Sequence, residues 1–508
     1  MASFVSDPMH HDFSRLFQAR SSGLARGGAM NDTAQPGSAR AAAIGWLPYI
    51  VAATFFMEYL DTTVIATALP QMAHSFGVGP NSLSLGVTAY MLALAIFIPA
   101  SGWVADRCGS RTVFFGAVVT FTVASVLCGI SQNLGEFVAA RILQGMGGAM
   151  MVPVGRMIVV RSTDKSRLMQ AISTITWPAI AAPVVGPPVG GFITTYASWR
   201  WIFLLNVPFG LAVLVAIATI VPNLRGEQRR PLDVVGLVLS GAALTAILYG
   251  AELASQPGEN PWRAAALVAA GVLVGAIAFV HARRHPTPLV DVSTLKIPTF
   301  SVTVVTGSIT RIGIGAAPYL MPLLFQIGFG LSAFKSGLLL LASALGNLGM
   351  KALTTRILER WGFRAVAMVD VTIAGLSMIA CGLLTPEVPL AIVLIVVFVY
   401  GVTRSMQFST LATLAYADVA QPQMSAASTL WSAAAQMTNG LGIAFGALAL
   451  RVAASFHGET SGHVFTLDDF RLAFLGAGVL TLLSVWGYAQ MARDAGQNVG
   501  GGSRRQRA

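Results

Sequence analysis

Two carboxyls, Glu58 and Asp61, interrupt the otherwise uncharged apolar run of residues 44–70. Their i, i+3 spacing puts both on one face of a helix. An acid in such a run is expensive to bury, so it faces a protein interior or a cavity and is a functional candidate. Withdrawal from water can bring a carboxyl's titration toward neutral pH, which suits it to carry a proton. Asp61 is the principal carrier on this reading and Glu58 the second. Arg141, with Gln144 one turn on, stands in another apolar run. Counted along the two runs, Asp61 and Arg141 differ in depth by roughly 3–5 Å at about 1.5 Å per residue. They can therefore pair, directly or through Gln144, and parting the pair would link protonation to conformation. The bland alternatives are a hydrogen-bonded structural acid and an arginine that snorkels to the interface.

Further charges cluster between runs. Gly102 leads into Asp106, Arg107, Gly109 and Arg111, and the same acid-Arg-x-Gly-x-Arg order returns at Glu359, Arg360, Gly362 and Arg364. Gly109 permits a tight turn. Asp106 can accept charge-assisted hydrogen bonds from a helix N-terminus or from an arginine of a neighbouring half, and such a contact would hold one face shut. The alternative is a purely topogenic basic loop. Gly186, Gly190 and Gly191 let a second helix approach closely, and Pro183, Pro187 and Pro188 remove backbone donors from the same run. Arg311 and Arg404 have no acid in their own runs and can attract an anion. Tyr90, Trp177, Tyr319, Phe325 and Trp431, with Met321 and Met437, are candidates to line an adaptable apolar cavity.

The elements that position these residues follow from composition. The chain has 508 residues, 55% hydrophobic and 10% charged. A soluble domain carries about 25% charged residues, so this chain cannot cover a water-soluble surface. Apolar–polar alternation is absent, which excludes an outer-membrane barrel. Fourteen runs reach about 20 residues, enough to cross a bilayer as helices: 44–70, 83–105, 112–130, 136–160, 169–194, 201–222, 233–254, 264–281, 299–326, 334–352, 363–385, 388–411, 424–450 and 469–491. Residues 1–43 are Ser/Gly/Ala/Arg-rich, contain no signal-peptide-like apolar core, and are expected to be a disordered cytoplasmic tail. Residues 492–508 are expected to form the matching C-terminal tail.

With an inside N-terminus, 23 of the 32 basic residues fall on inner loops and tails and five on outer loops. That bias puts both termini in the cytoplasm. The net charge of +11 is thus a topology signal, and nucleic-acid binding is excluded. Cys108, Cys128 and Cys381 are too scattered for a disulfide framework or a zinc site, and His281 and His285 receive no role. No Gly-Lys-Ser/Thr phosphate loop is present, which excludes ATP as the energy source. The repeated loop aligns span 2 with span 10. Residues 44–222 and 299–491 then form two six-helix bundles, with two linking spans in 223–298. Parallel halves of this kind are a transporter architecture.

Several of these stretches resemble a known family. Gly102-Trp103-Val104-Ala105-Asp106-Arg107-Cys108-Gly109-Ser110-Arg111 is similar to the loop signature of the major facilitator superfamily. Leu60-Asp61-Thr62-Thr63-Val64-Ile65-Ala66-Thr67-Ala68-Leu69-Pro70 resembles the span 1 signature of its fourteen-span drug:proton antiporters, the EmrB/QacA type. Arg141-Ile142-Leu143-Gln144-Gly145 resembles their span 4 motif, and Gly186-Pro187-Pro188-Val189-Gly190-Gly191 their span 5 antiporter motif, followed by Trp199-Arg200-Trp201 through Asn206-Val207-Pro208. Met150 to Arg156, and the stretch from Arg311 through Gln326 to Gly337, are similar to the MdtD/HsrA-like branch. The family usually has no acid at Glu58, whose role rests on spacing alone.

The resemblance implies an all-α polytopic fold of two six-helix bundles plus two extra spans. It implies a multi-pass protein of the cell inner membrane that exports small amphipathic compounds in exchange for protons. The rival reading is a proton-coupled exporter of an organic anion, with Arg311 or Arg404 as counter-charge. Neither needs a cofactor beyond the proton gradient. The partners are the lipid bilayer and a small-molecule substrate; a periplasmic adaptor protein is not derivable from the sequence. A channel would need a continuous polar pore lining, which is absent. A phosphatase fused after Arg493 is expected to be inactive because that site is cytoplasmic; periplasmic phosphatase activity there would overturn the topology.

Overall fold

The computed structural model describes residues 45–163, 167–225, 231–256, 260–420, 423–456, 465–493 and 495–496. The two expected tails lie almost wholly outside these residues, as do Lys165, Arg229 and Arg230. The described residues contain helices and no strand.

The spans are α1 (Leu47–Val64), α2 (Ser84–Cys108), α3 (Ser110–Ile130), α4 (Leu134–Ser162), α5 (Leu168–Tyr196), α6 (Asn206–Ile220) and α7 (Val234–Ser255). Then follow α8 (Pro261–Arg284), α9 (Pro298–Gly315), α10 (Ala333–Trp361), α11 (Phe363–Gly382), α12 (Leu390–Ala417), α13 (Met424–Phe456) and α14 (Leu467–Ala489). Thirteen helices among the described residues are long and apolar enough to cross a membrane. The helix α5, with 29 residues, is the fourteenth of spanning length. Polar residues stop the helices where the apolar runs end. Asn133, Asp233, Asn260 and Ser332 cap α4, α7, α8 and α10 with their side chains, and Thr466 and Asp469 form a capping box on α14. Span 1 continues past α1 through a 3-10 turn, Ile65–Thr67, into a short helix, Leu69–Phe76. Span 9 continues past α9 through Ala317–Leu323 and a π turn, Leu324–Gly328.

Helix packing repeats with a shift of eight spans. In the first part of the chain α1 packs on α5, α2 on α4, α3 on α4, and α6 on both α1 and α3. In the last part α9 packs on α13, α10 on α12, α11 on α12, and α14 on both α9 and α11. The two sets meet at a reciprocal pair of contacts, α5 with α10 and α2 with α13. The helices α7 and α8 form a hairpin; α7 lies against α2 and α13, while the most apolar stretch of α8 is only 11% buried and faces outward. The repeated loops share a backbone feature as well. Gly109 and Gly362, at φ 93° and 76°, each end one helix and begin the next.

A side chain at Gly109 would be strained by its φ and would collide with the amide of Asn223; one at Gly362 would be strained but would meet no atom within 4 Å. Gly109→Ala is therefore expected to cost about 1–3 kcal/mol of stability and Gly362→Ala less. Thermal unfolding of the two variants in one detergent checks the order.

Candidate functional site

The first site is buried within one helix set. Arg141 Nη1, on α4, donates to Asp61 Oδ2 of α1 at 2.6 Å and to Gln144 Oε1 at 2.6 Å. Gln144 Nε2 donates to Asp61 Oδ1 at 2.9 Å and to Ser125 Oγ of α3 at 2.9 Å. Asn206 Nδ2, at the start of α6, also donates to Asp61 Oδ1, at 2.9 Å. The Asp61 carboxylate thus accepts from three side chains on two other helices, and all of these residues are buried. The Arg141 guanidinium lies 4.1 Å from the Tyr90 ring centroid, and its Nε and Nη2 have no hydrogen-bond partner among the described residues. A charge pair this deep needs every remaining lone pair answered, and the two amides do that for Asp61.

Glu58 is one turn from Asp61, but its surroundings differ. It lines a large cavity, and its Oε2 has no hydrogen-bond partner among the described residues. The shared face predicted by the spacing is real, yet the helix set divides it: Asp61 looks into the packed interior and Glu58 toward open space.

That cavity has a volume of about 1690 Å³ and runs between the two helix sets. From Glu58 and Met321 its wall extends to Gly102, Asp106, Arg107, Arg161, Arg225 and Lys351, at the end of the molecule that carries the basic loops. The opposite end is closed by direct contacts between the sets. Tyr319 Oη donates to Asn81 Oδ1 at 2.7 Å, Asn81 Nδ2 to the Ala447 carbonyl at 3.1 Å, and Gln326 Nε2 to the Thr67 carbonyl at 3.1 Å. Phe334, at the start of α10, packs between Phe192 and Tyr196 of α5 and donates its N–H to Thr195 Oγ1 at 3.0 Å. The glycines of α5 set these approaches. A Cβ at Gly186 or Gly190 would strike Thr63 or Val64 of α1, and one at Gly191 would strike the Ala333 backbone. Pro187 lines the cavity wall beside them.

Three expectations need correction. Asp106 was expected to reach a helix N-terminus or an arginine of the other half; it pairs instead with Arg161 of α4, in its own set, at 2.9 Å. The cavity opens at this end, so Asp106 and the other set face each other across open space. Both side chains of the pair are more than a third exposed, which makes it a weak bond. Arg111 donates to the Ala218 carbonyl and, through its N–H, to Asn223, also within the same set. Glu359 and Arg360 are exposed. Of the proposed cavity-lining residues, Arg404 and Trp431 are on the wall, but Tyr90, Trp177, Tyr319 and Arg311 are not. Tyr90 packs under Arg141, Tyr319 belongs to the closed end, and Trp177 is 61% exposed in a separate groove beside Tyr49, Phe56 and Phe209. Arg311 is buried behind the wall, with its guanidinium 3.9 Å from the Trp431 ring centroid and 5.3 Å from that of Phe408. Helices that are apolar all round do not reveal by periodicity which face meets lipid, cavity or neighbour.

Sequence reasoning did not assign roles to Asn206, Ser125 or Glu252. Asn206 and Ser125 are polar residues in long apolar runs, a signal that was available. Glu252 of α7 is buried at the closed end and accepts from Ser84 Oγ of α2 at 2.5 Å. On the same helix the Ala254 carbonyl accepts from Arg451 of α13 at 2.5 Å, so α7 is tied to both helix sets.

A membrane bundle of two like helix sets around a central cavity, closed at one end and open at the other, is a transporter architecture. Residues 51–447 match the major facilitator superfamily family model, and the chain belongs to that superfamily. It is 34% identical over 456 residues to MdtD of Escherichia coli (strain K12), a protein named for multidrug resistance, covering 89% of this chain and 96% of that one. The MdtD of Shigella sonnei is 35% identical over the same shares. These relatives put the chain in the MdtD-like branch of the superfamily. Among solved structures, the transporter PepTSo of the POT family has a TM-score of 0.67 at 12% identity, covering 92% of this chain and 99% of its own. A D-xylose–proton symporter has a TM-score of 0.63 at 15% identity, with 90% and 99% covered.

Removing the arginine from the buried group strands Asp61, so Arg141→Gln is expected to destabilise the protein by about 3–5 kcal/mol. Adding Asp61→Asn should recover part of that loss, because it removes the stranded charge. Asn206→Leu should cost about 1–3 kcal/mol. Thermal melts of the single and double variants measure all three.

Proposed function

We propose that the protein is a proton-coupled antiporter that exports small amphipathic compounds across the inner membrane by alternating access, with both termini in the cytoplasm. The observation that carries this reading is Glu58 on the cavity wall, one helical turn from the buried Asp61–Arg141 pair. The basic loops surround the cavity mouth, so the positive-inside bias makes this conformation open to the cytoplasm. A proton arriving at Asp61 from the other side removes the charge that Arg141 pairs with and frees α1 and α4 to shift. Loss of that proton to the cytoplasmic cavity, with Glu58 as relay, restores the pair. The two protonation states then favour different conformations, which is the condition for coupling. The lining suits a bulky apolar solute with a polar group: Met91, Leu94, Met321, Phe408 and Trp431 stand beside Glu58, Arg404, Gln436 and Asn439.

Arg404 on the wall favours a second reading, export of an amphipathic anion. Liposomes with an imposed pH gradient, loaded with ethidium or with a fluorescent carboxylate, separate the two. Glu58→Gln and Asp61→Asn are each expected to abolish gradient-driven transport at least about tenfold while sparing downhill exchange. Arg404→Gln should leave ethidium transport intact on the first reading and abolish carboxylate transport on the second. Parental gradient-driven rates in both acid variants would remove proton coupling through α1.

A further inference from the structure

The base of the α7–α8 hairpin holds a cluster that the transport reading does not use. We propose that Asp233, His281 and His285 form a binding site for a divalent transition metal ion of the zinc type. His281 and His285 are one turn apart at the end of α8, the spacing at which two imidazoles on one helical face can chelate an ion. Asp233, the N-cap of α7, faces them, and one donor atom from each of the three lies within 4.8 Å of the other two. His281 Nε2 is 2.8 Å from Asp233 Oδ1, and the two imidazole centroids are 5.1 Å apart. Metal–nitrogen and metal–oxygen bonds of roughly 2.0–2.2 Å need donors roughly 3–4 Å apart, so a side-chain movement of about 1 Å completes the set.

The carboxylate is already oriented. Gly236 donates its N–H to Oδ1 at 2.7 Å and Leu289 donates to Oδ2 at 3.2 Å. Outer support of this kind is what fixes a ligating carboxylate. An ion takes the place of the proton between His281 and Asp233. Ligation by His285 Nε2 puts that ring's proton on Nδ1 and gives up the 3.3 Å bond from the Thr287 N–H. The ring is half-buried. Two imidazoles and one carboxylate favour Zn²⁺, Co²⁺, Ni²⁺ or Cu²⁺ over Mg²⁺ and Ca²⁺. Three protein donors leave positions open to water, as in an exchangeable site rather than a closed structural one. Because Asp233 also holds Leu289, in the chain that leads to α9, a bound ion would lock the start of α7, the end of α8 and the approach to the last helix set together.

The test uses the full chain, purified with a histidine-free tag, stripped with chelator and titrated with Co²⁺. A visible d–d absorption band saturating at one equivalent and displaced by Zn²⁺ is expected, with an accompanying rise in melting temperature. His281→Ala and His285→Ala should each weaken binding at least about tenfold, and His285→Gln keeps the comparison valid if an alanine variant misfolds. A chain carrying His10→Ala and His11→Ala should keep the band, which excludes the adjacent histidine pair near the N-terminus. Absence of the band from the parent, its survival in the His285 variants, or its loss with His10 and His11 would overturn the site and leave an ordinary Asp–His pair capping α7.

Discussion

A charge removed from water inside a membrane protein must be met by a partner, and most of this structure can be read from that constraint acting on Asp61. Arg141 answers the charge, Gln144 and Asn206 answer the remaining carboxylate oxygen, and Ser125 accepts from Gln144 in turn. Those residues come from α1, α3, α4 and the start of α6, so one carboxylate organises the interior of a whole helix set. The arrangement is stable only while all members keep their protonation and position, because a lone buried charge costs several kcal/mol. That same property suits it to the switch proposed above, since adding one proton would change which contacts the four helices can make.

The packing between the helix sets differs from one end of the molecule to the other. The contacts at the closed end combine hydrogen bonds and small-residue approaches between α5 and α10 with a shared apolar core, which runs from Ile65, Leu69 and Met72 of span 1 to Leu320, Leu324 and Phe325 of span 9. Away from that end each set has a core of its own: Leu47, Phe55, Phe114, Phe121 and Val154 in the first, and Phe300, Val371 and Leu411 in the second. Rocking of one set on the other would have to part the apolar, glycine-lined seam at the closed end, while the separate cores stay intact. The helix α7, tied to α2 through Glu252 and to α13 through Arg451, spans the seam and would have to give at one of those two ties.

Much of the fold was legible in the sequence because the bilayer imposes one simple rule: each span must be an apolar helix of about 20 residues. The fourteen runs reappear as helices with most ends shifted by a few residues, the largest extensions being at the C-terminal ends of α10, α12 and α13, where residues 353–361, 412–417 and 451–456 continue the helix. The pairing of Asp61 with Arg141 and Gln144 was legible too, since depth along two helices is simple arithmetic. What was not legible is direction around a helix. Trp177 and Tyr90 look alike in composition, but one faces outward and the other lies under Arg141. Arg311 and Arg404 looked equivalent, yet only Arg404 reaches the cavity. Asp106 illustrates a different limit. Its partner, Arg161, lies 55 residues along the chain on α4, and no residue pattern near Asp106 records that pairing.

The central claim is that the protonation state of Asp61 selects between conformations. Hydrogen–deuterium exchange of the reconstituted protein at two pH values, corrected for the intrinsic pH dependence of exchange, tests it without any substrate. In the parent chain, protection at the closed end, around Thr67, Asn81 and Phe334, should change between the two pH values. In Asp61→Asn it should be fixed at one level. An unchanged pH response in Asp61→Asn would contradict the account, and would move the switch to some other group.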